Sequence, residues 1–117
     1  MIDFTLNVTE KFVFASFGYE MCVFNRKTGR RVIQHMPILM DAGVTANGDL
    51  LVSSDDHLWK YEINKNGELE VLWKSAERKA YAIDSLPDGR ILLQCCGGLY
   101  GGLRQLSIAI ISSEGKY

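Results

Sequence analysis

The sequence predicts an all-β chain built of three four-stranded antiparallel units, and three observations predict it. Turn signals recur in a fixed order at spacings near 40 residues. The segments between them are short and rich in β-branched and aromatic residues, which suit a pleated, half-buried surface. No segment keeps apolar residues at i, i+3, i+4 and i+7 for three turns, so no amphipathic helix is expected.

The turns set the organisation. Glu10-Lys11 precedes Phe12-Val13-Phe14, Asn47-Gly48 precedes Leu50-Leu51-Val52, and Asp88-Gly89 precedes Ile91-Leu92-Leu93. From Lys11 to Gly48 is 37 residues, and from Gly48 to Gly89 is 41. A second series, Thr28-Gly29, Asn66-Gly67 and Glu114-Gly115, keeps the same phase with steps of 38 and 48 residues. Two turn series in one phase mark an internal repeat. Asn-Gly and Asp-Gly between apolar runs are strong hairpin signals, because their left-handed turns match the twist of the flanking strands.

Each repeat therefore reads as a meander of four strands within one domain covering 1–117. The first unit, 1–37, has strands at residues 2–6, 13–15, 21–24 and 31–33. The second, 38–76, runs from strand 41–45 to Trp73, and its residues 58–63 alternate apolar and polar. The third, 77–117, has strands at 81–86, 90–94 and 103–112. Its fourth strand is missing or reduced to Gly115-Lys116-Tyr117.

Four strands at a period near 40 are the signature of a propeller blade. Asn47-Gly48-Asp49-Leu50-Leu51-Val52, followed by Leu58-Trp59-Lys60-Tyr61 and Val71-Leu72-Trp73, resembles the blade repeats of PQQ-type, NHL-type and gluconolactonase-like β-propellers. Leu86-Pro87-Asp88-Gly89-Arg90-Ile91-Leu92 is a second match. The resemblance covers about two thirds of the chain well and the first unit loosely. The Trp-Asp dipeptide of WD40 blades is absent. The resemblance implies a fold and leaves the activity open.

Closed propellers have about 4–8 blades, so three would leave two uncovered end faces. A blade buries itself against its neighbours, and its end faces would be large apolar patches. The expectation is half of a six-bladed propeller, closed as a two-fold homodimer, with the last outer strand missing or supplied in trans. A fragment, or a half-ring completed by a different protein, is the competing reading.

Composition narrows the function. A net charge of −1 with interspersed signs argues against nucleic acid or an anionic membrane as partner. The densest basic stretch, Arg26-Lys27-Thr28-Gly29-Arg30-Arg31, falls on a hairpin turn and reads as a solvated turn rather than a phosphate site. No apolar run reaches the roughly 20 residues of a membrane span, and Met1-Ile2-Asp3-Phe4 opens no signal peptide. Three cysteines without framework spacing suit a reducing, cytoplasmic setting.

Candidate binding residues come from the loops between second and third strands, which share one end with the connections between units. They are Tyr19 and Glu20, then Asp55, Asp56 and His57, and finally Leu99 and Tyr100. The last two sit in Cys95-Cys96-Gly97-Gly98-Leu99-Tyr100-Gly101-Gly102, which reads as a glycine-rich loop. Asp55-Asp56-His57 holds metal-ligand types, but an Asx-type turn explains it without a metal. The gluconolactonase-like resemblance implies an axial divalent metal held by carboxylates. Asp3, Asp41 and Asp84 stand at unequal offsets from their turns, which argues against a shared site. Trp59 and Trp73 suit sugar stacking or core packing. No Ser/His/Asp or Cys/His set has nucleophile spacing.

These readings add up to a non-enzymatic binding or assembly module with no cofactor and no metal, presenting loops to a partner protein. The alternatives are a small-ligand binder for a sugar or nucleotide, and a metal-dependent propeller hydrolase.

Overall fold

The computed structural model describes residues 4–54, 57–75, 80–98 and 104–116. Eleven strands fill these residues, and among them there is no helix. The first sheet comprises β1 (Phe4–Val8), β2 (Phe12–Phe17), β3 (Glu20–Asn25) and β4 (Arg31–His35). The second comprises β5 (Leu39–Val44), β6 (Leu50–Ser54), β7 (Leu58–Ile63) and β8 (Leu69–Lys74). The third comprises β9 (Ala82–Ser85), β10 (Ile91–Gly98) and β11 (Arg104–Ile111). Each sheet is an antiparallel meander in which neighbours in sequence are neighbours in space.

The hairpin turns explain why the strands stop where they do. In the turn over residues 45–49, Thr45 N–H donates to Asp49 O and Gly48 N–H returns to Thr45 O, at 2.9 Å each. The same pair of bonds recurs at 64–68, 86–90 and 112–116. The fourth residue is glycine each time, and Gly48 has φ +87°, a left-handed conformation that side chains resist. The turn between β1 and β2 has no glycine. Thr9 N–H bonds to Phe12 O instead, and Phe12 N–H to the Thr9 hydroxyl at 2.9 Å. This departure accounts for the loose match of the first unit to the repeat.

One segment departs from the sequence expectation. Cys95, Cys96, Gly97 and Gly98 were expected in a loop, but they extend β10 and pair with residues 104–107 of β11. Glycines weaken a strand without abolishing its ladder, and the eight-residue hairpin carries them. Leu99 and Tyr100, expected at the tip of that loop, lie outside the described residues.

The sheets stack face to face, with the second between the other two. Phe14, Met21 and Val23 of the first sheet pack on Leu50, Val52, Tyr61 and Leu69 of the second. Leu51 and Leu58 on the other face of the second pack on Ile83, Ile91, Leu93 and Ile111 of the third. The period-2 alternation of a strand makes this possible, since Leu50 and Leu51 point to opposite neighbours and both are fully buried. The run Leu50-Leu51-Val52 reads as continuously apolar because it serves two cores at once.

Candidate functional site

The register of the ladders aligns the three sheets position by position. Val8 pairs with Val13, Val44 with Leu50, and Ser85 with Ile91, so these pairs are equivalent. Each sheet then has a rear face, toward the sheet before it in the chain, and a forward face, toward the sheet after it. On the rear faces, Leu6, Val13, Ala15, Cys22 and Phe24 of the first sheet correspond to Ala42, Leu50, Val52, Trp59 and Tyr61 of the second. In the third they correspond to Ile83, Ile91, Leu93, Ala109 and Ile111. Every position is apolar or weakly polar.

The second and third sets are covered by the preceding sheet. The first set is open. Leu6 is 70% exposed, and Phe4 and Phe17 lie beside it with ring centroids 4.8 Å apart, both exposed. Ile33 on β4 extends this patch to the outer strand and is also exposed.

The forward faces behave alike. Phe14 and Met21 of the first sheet correspond to Leu51 and Leu58 of the second, and all four are fully buried. Their counterparts in the third sheet are Leu92 and Ile108, and Ile108 is 70% exposed. Ile110 stands beside them, 48% exposed. A shallow concavity of about 510 Å³ runs along this face between Asp41, Asp84, Gln94 and Ile108. The stack thus ends in two uncovered faces that carry the residue types buried elsewhere in the chain.

Polar contacts fix how neighbouring sheets register. The Gln34 side chain binds the Leu69 backbone twice: its Nε2 donates to Leu69 O at 3.2 Å, and Leu69 N–H donates to its Oε1. At the next junction the Trp73 indole N–H and the Lys60 ammonium both donate to Ser113 O, at 3.1 and 3.4 Å. On the inner strands Asn7 Nδ2 donates to Ala42 O at 3.2 Å, and Ile83 N–H donates to the Asp41 carboxylate at 2.9 Å. Turn glycines complete each seat. Val32 covers Gly67 and Trp73 covers Gly115, whereas the equivalent Gly29 has nothing within 4 Å of where a Cβ would stand.

Of the sequence candidates, Tyr19, Glu20 and His57 lie among the described residues. Tyr19 is exposed in the turn between β2 and β3, its carbonyl accepting Met36 N–H at 2.7 Å. Glu20 and His57 are equivalent positions on successive sheets. Glu20 is exposed opposite His35, and the His57 ring lies 6.5 Å from Trp59. Asp55 and Asp56 lie outside the described residues, as does Asp3. Asp41 is engaged by the Ile83 amide, and Asp84 by its neighbour Ser85 N–H at 2.8 Å. Among the described residues no three His, Cys, Asp or Glu side chains gather into a metal-binding group.

Both tryptophans serve the junctions. Trp59 stacks beside Tyr61 at 6.1 Å and carries the Lys74 ammonium 4.7 Å above its ring. Burial pushes the Tyr61 hydroxyl up to about 12 from its ordinary 10.0. Arg26, in the basic turn, spends its guanidinium on the carbonyl of Thr9 at 2.7 Å.

A cleft of about 570 Å³ opens between the first and second sheets at the tight-turn end, opposite the expected binding end. Its lining is mixed, with Glu10, Lys11, Asp49 and Glu62 beside the apolar Val8, Phe12 and Ile63. Short turns concealed it in the sequence, because the space arises from the splay of two sheets and not from loop length. Asp49 in its wall is 3.9 Å from Lys60.

No family model matches the chain, and no curated protein matches it. Among solved structures, the chain is similar to a protein of unknown function from Bacteroides caccae, with a TM-score of 0.57 and 20% identity. The match covers 84% of this chain and 35% of that one, so the chain spans about a third of that protein's length. At this identity the likeness concerns the fold. No helix among the described residues is long and apolar enough to cross a membrane.

Proposed function

We propose that the chain is an assembly module: half of a propeller whose two open blade faces bind a second copy, closing a six-bladed ring that presents loops to a partner protein. The observation behind this reading is the repetition of one interface. The rear face of the first sheet and the forward face of the third carry the same apolar positions that pack together at both internal junctions. Adjoining exposed apolar side chains on a lone chain invite coverage. Two copies cover both with one kind of contact, and a two-fold ring is the simplest closure.

The loop end would then hold Tyr19, Glu20, Asp55, Asp56, His57, Leu99 and Tyr100 around a ring, each twice. The module carries out recognition on a rigid frame and no covalent chemistry.

Light scattering on a sizing column across a wide concentration range tests the proposal. The expected result is twice the chain mass, persisting on dilution. A chain that stays monomeric at every concentration overturns it.

A further inference from the structure

Inside the chain, one inner-strand position meets the same group at each junction. Asn7 on the forward face of the first sheet donates its side-chain amide to Ala42 O at 3.2 Å. Gly43 is the equivalent residue of the second sheet, and a Cβ there would stand 3.2 Å from Ile83 O. Ala42 and Ile83 are themselves equivalent, and the same position in the first sheet is Leu6. The position therefore faces a backbone carbonyl of the next sheet, met by a side-chain donor in one case and, in the other, by a glycine whose missing Cβ lets the two backbones approach.

Asp84 holds this position on the third sheet, which no further sheet covers among the described residues. It is exposed, and its carboxylate accepts the Ser85 N–H. We infer that two copies join head to tail, with the forward face of the third sheet on the rear face of the first in the internal register, and that Asp84 then opposes the Leu6 carbonyl and restrains closure. This rests on the self-association proposed above.

The restraint follows from chemistry. A carboxylate has no proton to give and a carbonyl has none, so two acceptors face each other where Asn7 makes a bond. Taking Asp84 from water into a junction where the facing carbonyl offers no proton adds a desolvation cost that the Ser85 N–H offsets only in part. A side-chain amide removes the conflict and supplies the missing bond. The partner this surface fits is a second copy, because Leu6 and Ile108 hold the positions of Ala42 and Met21, which share one buried cluster at the first internal junction.

Sedimentation velocity on the intact chain and four variants tests this. Asp84→Asn is expected to tighten the dimer about tenfold, and Asp84→Ala by less, since it removes the charge without adding a donor. Leu6→Lys and Ile108→Lys, both at exposed sites, are each expected to weaken it more than tenfold while the circular dichroism of the folded chain stays unchanged. Mixing those two variants should restore a partial association, because the mixed pair keeps one intact junction. A dimer that ignores Asp84→Asn, or that one lysine variant abolishes while the other leaves it untouched, overturns the head-to-tail register and leaves self-association standing. Monomers throughout overturn both.

Discussion

The rear faces of the first and second sheets occupy the same ladder positions with the same kinds of side chain, and their surroundings are opposite. Ala42 is 8% exposed beneath the first sheet, while its counterpart Leu6 is 70% exposed. Local sequence does not separate them. What separates them is whether a sheet lies in front. Burial in a stacked architecture is a property of neighbours, so a strand can be composed for a core that its own chain does not provide.

The comparison can be broken most severely at the covered face. Leu50→Ala should cost about 3 kcal/mol, because a fully buried leucine leaves a cavity between two sheets that cannot collapse freely. Chemical denaturation checks it, and a loss below about 1 kcal/mol would mean that the junction relaxes around the gap. Next come the turn glycines. Gly115→Ala should destabilise by about 2–3 kcal/mol, since the new methyl would meet Trp73 ring atoms as well as an unfavourable backbone angle. Gly29→Ala meets only the backbone penalty, about 1 kcal/mol, in its open seat. Equal losses would show that the Trp73 ring moves aside.

Another effect depends on pH. Tyr61 keeps its proton up to about 12 in the folded chain, whereas an unfolded tyrosine loses it near 10.0. Between those values the unfolded state binds fewer protons, so stability falls as pH rises. The contribution is complete below pH 10 and amounts to about 2 kcal/mol. Tyr61→Phe should flatten this alkaline decline in a series of unfolding curves, and an unchanged slope would place its cause elsewhere. The smallest effect belongs to the open face. Leu6→Ala should change the unfolding of the isolated chain by less than about 0.5 kcal/mol, as an exposed side chain has little to lose. A loss comparable to Leu50→Ala would mean that Leu6 is already covered in solution.

Much of this arrangement is legible in the chain. The glycines at 48, 67, 89 and 115 announce turns because each takes a backbone angle that other residues avoid, and the strands between them follow. The β10 extension through Cys95–Gly98 was not legible, because paired glycines carry the same local signal in a hairpin as in a loop. The cleft beside Glu10 and Asn47 was hidden for a different reason: sheet splay is a tertiary quantity with no local code. The apolar end faces could be anticipated from the repeat count. Asp84 as the odd member of its position could not, because its meaning appears only once the ladders align it with Asn7 and Gly43.

The pair of hydrogen bonds between the Gln34 side chain and the Leu69 backbone has a kinetic consequence. A side-chain amide here imitates a peptide unit of a further strand, and it shields one proton on behalf of another sheet. The Leu69 amide should therefore exchange with solvent deuterium only when the first and second sheets part. Its protection factor becomes a clock for that single separation, read at one residue while the rest of the ladder stays closed.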